Sequence, residues 1–287
     1  MRDVPLRTLA ELEFIYDREP DRRDIYVEGP SDASVMDWFV RESGLHDVAV
    51  YPITAIEIRD SDLIAGGQKT NNRERVVFLS GFLLSNAAQR AACVVDADFS
   101  RLRGLRPAEP PLYETDYACM EMYFFCRSSF SKFITLCCRR SDWPIDIIMN
   151  SLASILQEFF LYRYANDELG WGMDWLNKNV CMAVDGWVIK LDANQFLNRL
   201  LQKNGKAGYK ALFDSKVNAM RPKLLADPRH QMNGHDLASL LAWYLKRKGI
   251  SGGRAQADNV LVFMTMTLDH QTLKQEPMFS KLLTLFT

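Results

Sequence analysis

Apolar and polar positions change rhythm along the chain, and the changes mark its elements. Ile25, Tyr26 and Val27 form a short run of strand-forming residues. Gly29, Pro30 and Ser31 break that run. Val35, Trp38 and Phe39 then recur at i, i+3 and i+4, the spacing of one helix face. Residues 23–43 therefore predict strand, tight turn and helix. Upstream, Leu6, Leu9, Leu12 and Phe14 predict a short helix within residues 1–22, followed by a charged turn. Val48 to Ile53 predicts a second strand, the polar stretch Ile58 to Arg75 a loop, and Val76 to Gln89 a helix. Ala92 to Val95 predicts a third strand, running into Asp96-Ala97-Asp98 and a basic loop. Alternating strands and helices favour a mostly parallel sheet with helices on its faces.

The pattern then turns helical. Tyr117 to Cys138 reads as one long helical segment with Met120, Tyr123 and Phe124 on one stripe. Ile145, Ile148, Leu152, Ile155 and Phe159 give a second helix its stripe. Met182 to Asp192 predicts a β-hairpin turning at Asp185-Gly186, and the remainder is again mainly helical. The expected class is α/β: a mostly parallel core that changes character after about residue 116 and is followed by a mainly helical domain.

Composition narrows the chemistry. The 287 residues are 48% hydrophobic and 25% charged, with a formal net charge of −1. No global charge draws the chain to nucleic acid, so such binding needs a local basic patch. Six cysteines without a CxxC pair and only four histidines argue against a zinc cage or a disulfide framework. No stretch approaches the roughly 18 apolar residues of a membrane span, and the N-terminus lacks the apolar run of a signal peptide. The expectation is a soluble, cytoplasmic protein with no membrane contact.

Three acids fall at predicted strand ends: Glu28, Asp96 and Asp98. Ligands of open parallel sheets sit beyond the carboxyl ends of the strands, so these acids converge if their strands are neighbours. Asp96 and Asp98 alternate, which on a strand points both to one side. Carboxylates without a nearby His or Cys favour Mg²⁺, or Mn²⁺, over zinc, and such an ion typically works on phosphate esters. Asp32 could hold a second ion or cap the helix that it opens. Arg101, Arg103 and Arg106 follow the Asp-Ala-Asp stretch and could hold phosphate oxygens, or could simply be a solvated loop. Lys69, beside Gly66 and Gly67, is a second candidate. No GxxxxGK[ST] motif is present.

The stretches YVEGPSD (26–32) and CVVDADFS (93–100) resemble the two signature motifs of the Toprim domain. That domain is shared by type IA and II topoisomerases, bacterial primases and the overcoming-lysogenization-defect nucleases. The resemblance covers about residues 23–125, and with it the expected boundaries are an N-terminal extension at 1–22, a Toprim catalytic domain at 23–125 and a mainly helical domain at 126–287 for dimerisation or partner docking. It implies a Rossmann-like core, Mg²⁺ held by Asp96 and Asp98, and Glu28 as ligand or general acid/base. Asp32 matches the aspartate of the nuclease subgroup's Glu-x-x-x-Asp. Topoisomerase chemistry needs a tyrosine on a further domain, and primase chemistry a zinc-binding module that this chain lacks.

A narrower resemblance is to the Toprim effectors of the PARIS anti-phage defence system. ETDYACMEMYFF (114–125) would make Glu121 a further metal candidate, and Gly234-His235-Asp236 matches a later motif. By residues alone, Glu121 could be a surface side chain, and Asn233 or Asp236 a helix cap. The resemblance implies a metal-dependent endonuclease held inactive by an ABC-type ATPase partner. Once free it would dimerise and cut nucleic acid, with host tRNA favoured over DNA. The rival reading is a non-catalytic Toprim-like scaffold subunit of an ATPase complex.

Overall fold

The computed structural model describes residues 6–176 and 180–287. The first five residues of the expected N-terminal extension lie outside them. The chain divides into two compact units. Unit one comprises Met1–Ala97, Arg106–Asp116 and His270–Thr287; unit two comprises Asp98–Leu105 and Tyr117–Asp269. This differs from a single cut at residue 125. The expected extension belongs to unit one, which the C-terminal residues also rejoin.

Unit one opens with β1 (Arg7–Thr8) and α1 (Leu9–Arg18). A capping box starts α1: Glu11 N–H donates to Thr8 Oγ1 at 3.2 Å, and Thr8 N–H to the Glu11 carboxylate at 2.8 Å. The buried face is Leu12 and Tyr16, one turn apart, while Phe14, expected on that face, is 61% exposed. Then follow β2 (Arg23–Val27), α2 (Pro30–Glu42), β3 (Val48–Pro52) and β4 (Ile56–Glu57). The expected loop at 58–75 instead holds α3 (Asp60–Ala65) and the first turn of α4 (Asn72–Asn86). Gly67, at φ +73°, separates the two helices. Asn71 caps α4 by accepting the Glu74 N–H at 2.9 Å, an Asn-x-x-Glu start signal that the density of polar residues masks. β5 (Ala91–Val95) and β6 (Leu112–Glu114) complete a four-stranded sheet of order β3-β2-β5-β6, parallel throughout. β1 pairs with β4 separately.

Unit two is mainly helical. Tyr117 to Cys138 is not one helix. A 3₁₀ turn at Met120–Phe124 precedes α5 (Arg127–Leu136), with Cys126 extended between them. Met120, Met122, Tyr123, Phe124 and Phe125 are all buried; a run apolar on every side specifies no single helix face. α6 (Ile145–Glu168) buries the expected Ile148, Leu152, Ile155 and Phe159. α6 is the one helix among the described residues long and apolar enough by length and composition to cross a membrane, and 56% of its most apolar 18-residue window is buried, as in a core helix. The hairpin β7 (Met182–Asp185) and β8 (Val188–Leu191) turns one residue later than expected. Asp185 pairs with Val188, leaving Gly186, at φ +56°, and Trp187 as the connection. α7 (Ala193–Lys203), α8 (Lys210–Met220), α9 (Gly234–Arg247) and α10 (Ala257–Thr265) follow.

The chain returns to unit one as α11 (His270–Gln275) and α12 (Pro277–Phe286). Asp116 caps α12 by accepting the Met278 N–H at 3.1 Å. Phe279 of α12 meets Phe39 of α2 with ring centroids 4.6 Å apart. A second cluster joins Leu12, Tyr16, Tyr26, Leu79, Leu83, Cys93 and Val95. Within it lies a charged group, because Asp24 of β2 is fully buried. It accepts from Tyr16 OH at 2.8 Å, Arg22 Nε at 2.7 Å and Tyr26 OH at 3.2 Å. Burial above all, and then the neighbouring acidic groups, push both tyrosine hydroxyls well above their ordinary pKa, so both remain donors. Arg90 fastens α1 from the other end, donating to the carbonyls of Tyr16, Glu19 and Pro20.

Tyr16→Phe removes one donor from a buried carboxylate. It should cost about 1–3 kcal/mol, read as a lower urea midpoint at unchanged slope. An unchanged midpoint would show that Arg22 and Tyr26 suffice for Asp24.

Candidate functional site

β2 has neighbours on both edges. The chain leaves it through α2 to β3 on one side, then reaches β5 on the other side by way of α4. The strand order therefore reverses between β2 and β5, and in open parallel sheets ligands sit in the crevice beyond the carboxyl ends at such a point. Extended Gly29, followed by Pro30 at the first position of α2, ends β2 just before Glu28 can continue it. Val27 aligns with Val94, so Glu28 stands beside the end of β5. Its Oε1 accepts the Asp96 N–H at 2.9 Å. The expected convergence is met for these two segments of unit one. Thr115 secures the same turn, its Oγ1 accepting the Ala97 N–H at 2.9 Å and its N–H donating to the Val95 carbonyl at 3.0 Å.

Of the two roles open to Asp32, the structure displays capping: its Oδ2 accepts the Gly29 N–H at 3.2 Å. Asp96 and Asp98 do not alternate along a strand. β5 ends at Val95, and Asp98 takes φ +43°, in the left-handed region that Asp tolerates better than most residues. Strand alternation therefore does not relate the two acids, because strand periodicity stops before the first of them. Asp98 belongs to unit two, where its N–H donates to the Ala118 carbonyl at 2.8 Å.

Sequence reasoning missed three residues of unit one. Asn72 donates to the Glu28 carbonyl at 3.0 Å. Arg73, on the first turn of α4, donates from Nε to the Asp96 carbonyl and from Nη2 to Glu114 Oε1, both at 3.4 Å. Glu114 is itself a strand-end carboxylate, closing β6. The Asn71-x-x-Glu74 signal would have moved Asn72 and Arg73 from a loop to a helix N-terminus facing the strand ends.

The remaining candidates lie in unit two or on exposed positions of unit one. Arg103 donates to Asp167 at 2.6 Å and to Glu168 at 2.9 and 3.2 Å, and its guanidinium lies over the rings of Phe99 and Tyr164. These contacts anchor Arg103 in its own turn. Arg101 is half-buried in the same turn, whereas Arg106 and Lys69 are exposed in unit one. Glu121, half-buried on the 3₁₀ turn, faces Gly234, where an added Cβ would lie 2.4 Å from its carboxyl carbon. Asn233 caps α9 by accepting the Asp236 N–H at 3.1 Å. Asp236 is fully buried and gripped by Arg163 through two bonds of 2.7 Å. His235 is exposed. The Gly234-His235-Asp236 stretch thus serves packing and an ion pair within its unit.

Glu28 and Asp96 offer hard oxygen donors with no His or Cys beside them in the candidate set, the ligand type that Mg²⁺ or Mn²⁺ takes. Among the described residues no three His, Cys, Asp or Glu side chains are gathered as a ready-made cage.

Gly234→Ala should displace the Glu121 side chain and cost about 1–3 kcal/mol. Adding Glu121→Ala should recover most of that loss in a double-mutant cycle. Additive losses would mean that the two residues do not compete for the same space.

No protein-family model matches the chain, and no curated protein matches it.

Proposed function

We propose that this chain is a Mg²⁺-dependent endonuclease built on a Toprim core. The observation that carries the reading is the meeting of its two motif segments. The Glu28 carboxylate holds the Asp96 amide where two adjacent parallel strands end and the strand order reverses. In this reading Asp96 provides a carboxylate for the ion, and Asp98 is a candidate on the motif resemblance. When bound, that ion supplies charge stabilisation at the scissile phosphate. Glu28 either shares the ion or takes the proton from the attacking water. Asp32 and Glu121 are further candidates on the motif resemblance alone.

The biological setting rests on that resemblance too. AriB, the Toprim effector of the PARIS anti-phage system, is the model for a chain restrained in the cytoplasm by an ABC-type ATPase partner. Once released as a homodimer, it would cut host tRNA and arrest growth. A non-catalytic scaffold within the ATPase complex is the competing outcome of the same experiments.

Glu28→Gln and Asp96→Asn should each lower Mg²⁺-dependent cleavage of RNA or DNA by at least about 100-fold, the scale of losing one proton-transfer or charge-stabilising group. Both should keep the circular dichroism of the wild type. A glutamine oxygen at position 28 can still accept the Asp96 N–H, and the Asp96 main chain is untouched. Full activity in Asp96→Asn at saturating Mg²⁺ would sink the assignment. Wild-type protein that cuts neither RNA nor DNA would favour the scaffold.

A further inference from the structure

We infer that Arg73 contacts the substrate's phosphate at this strand-end site, with Glu114 as its resting counter-ion. The inference rests on the nucleic-acid reading above for the identity of the phosphate, and on unit one alone for its geometry.

The first ground is position. Arg73 is carried on the first turn of α4, whose start is pinned to the strand ends by the bond from Asn72 to the Glu28 carbonyl. Its guanidinium lies between the Asp96 carbonyl and the Glu114 carboxylate, at the ends of neighbouring strands β5 and β6. The backbone thus fixes this cation beside the turn that carries Asp96.

The second ground is the length of its bonds to these two groups. The bonds to the Asp96 carbonyl and to Glu114 are both 3.4 Å, at the long edge of hydrogen bonding. Arg163 holds Asp236 by two bonds of 2.7 Å, and Arg103 holds Asp167 and Glu168 at 2.6–3.2 Å. Those two arginines stabilise structure within unit two. The Arg73 side chain keeps 26% of its surface exposed against 13% for Glu114, so solvent reaches the cation more than its counter-ion.

The third ground is charge. Glu28, Asp96 and Glu114 gather negative charge at the strand ends, which repels a polyanion. A guanidinium offers parallel donors matched to phosphate oxygens. Exchanging a long contact with Glu114 for a two-bond contact with phosphate improves the geometry of the arginine.

The test uses the full chain, Ca²⁺ in place of Mg²⁺, and a fluorescein-labelled RNA hairpin followed by anisotropy across KCl concentrations. Arg73→Gln should weaken binding about ten-fold and lower the slope of log K against log salt by about 0.7–0.9, the share of one phosphate contact. Arg73→Lys should retain the slope with part of the affinity. Glu114→Gln should tighten binding, an effect opposite in sign to any loss of folding. Equal affinity and slope in Arg73→Gln, weaker binding in Glu114→Gln, or no binding of the hairpin by wild type would each overturn the inference. Cleavage is scored separately in Mg²⁺. Arg73-dependent binding without cleavage sinks the nuclease reading and keeps this one. Cleavage with binding indifferent to Arg73 does the reverse.

Discussion

The candidate site depends on one strand that pairs on both of its edges. β2 is parallel to β3 on one side and to β5 on the other, and Ile25, Tyr26 and Val27 are at most 1% exposed. A strand covered on both faces and both edges reads as a continuous apolar run rather than as an alternation. Its register is also hard to slip, since a one-residue shift exchanges every side chain between faces. With Val27 aligned to Val94, Glu28 lies within reach of the Asp96 amide. Moving either strand by one residue would separate the two motif segments.

Parallel strands end with backbone groups that the ladder no longer satisfies, and buried polar groups of that kind are costly. Here side chains take over. Glu28 receives the Asp96 amide, Thr115 receives the Ala97 amide, Asn72 reaches the Glu28 carbonyl and Arg73 the Asp96 carbonyl. The acids therefore keep their places through the same bonds that finish the sheet. Rigid support of this kind is what a precise reactive geometry requires.

Much of this was legible in the sequence, for definite reasons. Ile25-Tyr26-Val27, the Gly-Pro break and the i, i+3, i+4 spacing each carry a local physical signal, and they mark β2, its end and α2. What escaped depends on partners far away in the chain. Phe14 fits a helical stripe but is exposed, because β2 presents Asp24 and Tyr26 to α1 and Tyr16 answers them. Arg103 resembled a solvent-facing cation until Asp167 and Glu168, on a helix more than sixty residues later, came beside it. Asp96 and Asp98 alternate as letters, but nothing in the letters says that β5 stops at Val95. The division into units escaped too, because α12 rejoins unit one through Asp116 and Phe39.

Two acids on the β2 segment show how environment separates structural carboxylates from functional candidates. Asp24 and Glu28 lie four residues apart. Asp24 is enclosed and takes two tyrosine hydroxyls and an arginine Nε. All three bonds converge on Oδ2, while the buried Oδ1 has no hydrogen-bond partner, and removing the partners of a buried carboxylate costs stability. Glu28 is half-buried at the ligand-bearing end of the sheet and accepts a main-chain amide. That amide bond fixes the carboxylate against the end of β5. The same division separates Asp236, closed by Arg163, from Asp96, whose own amide and carbonyl are the groups held in place. Asp24 and Asp236 thus stabilise packing, whereas the Glu28 and Asp96 segments meet where the strand order reverses. Carboxylates in that place are suited to presenting charge to a cation.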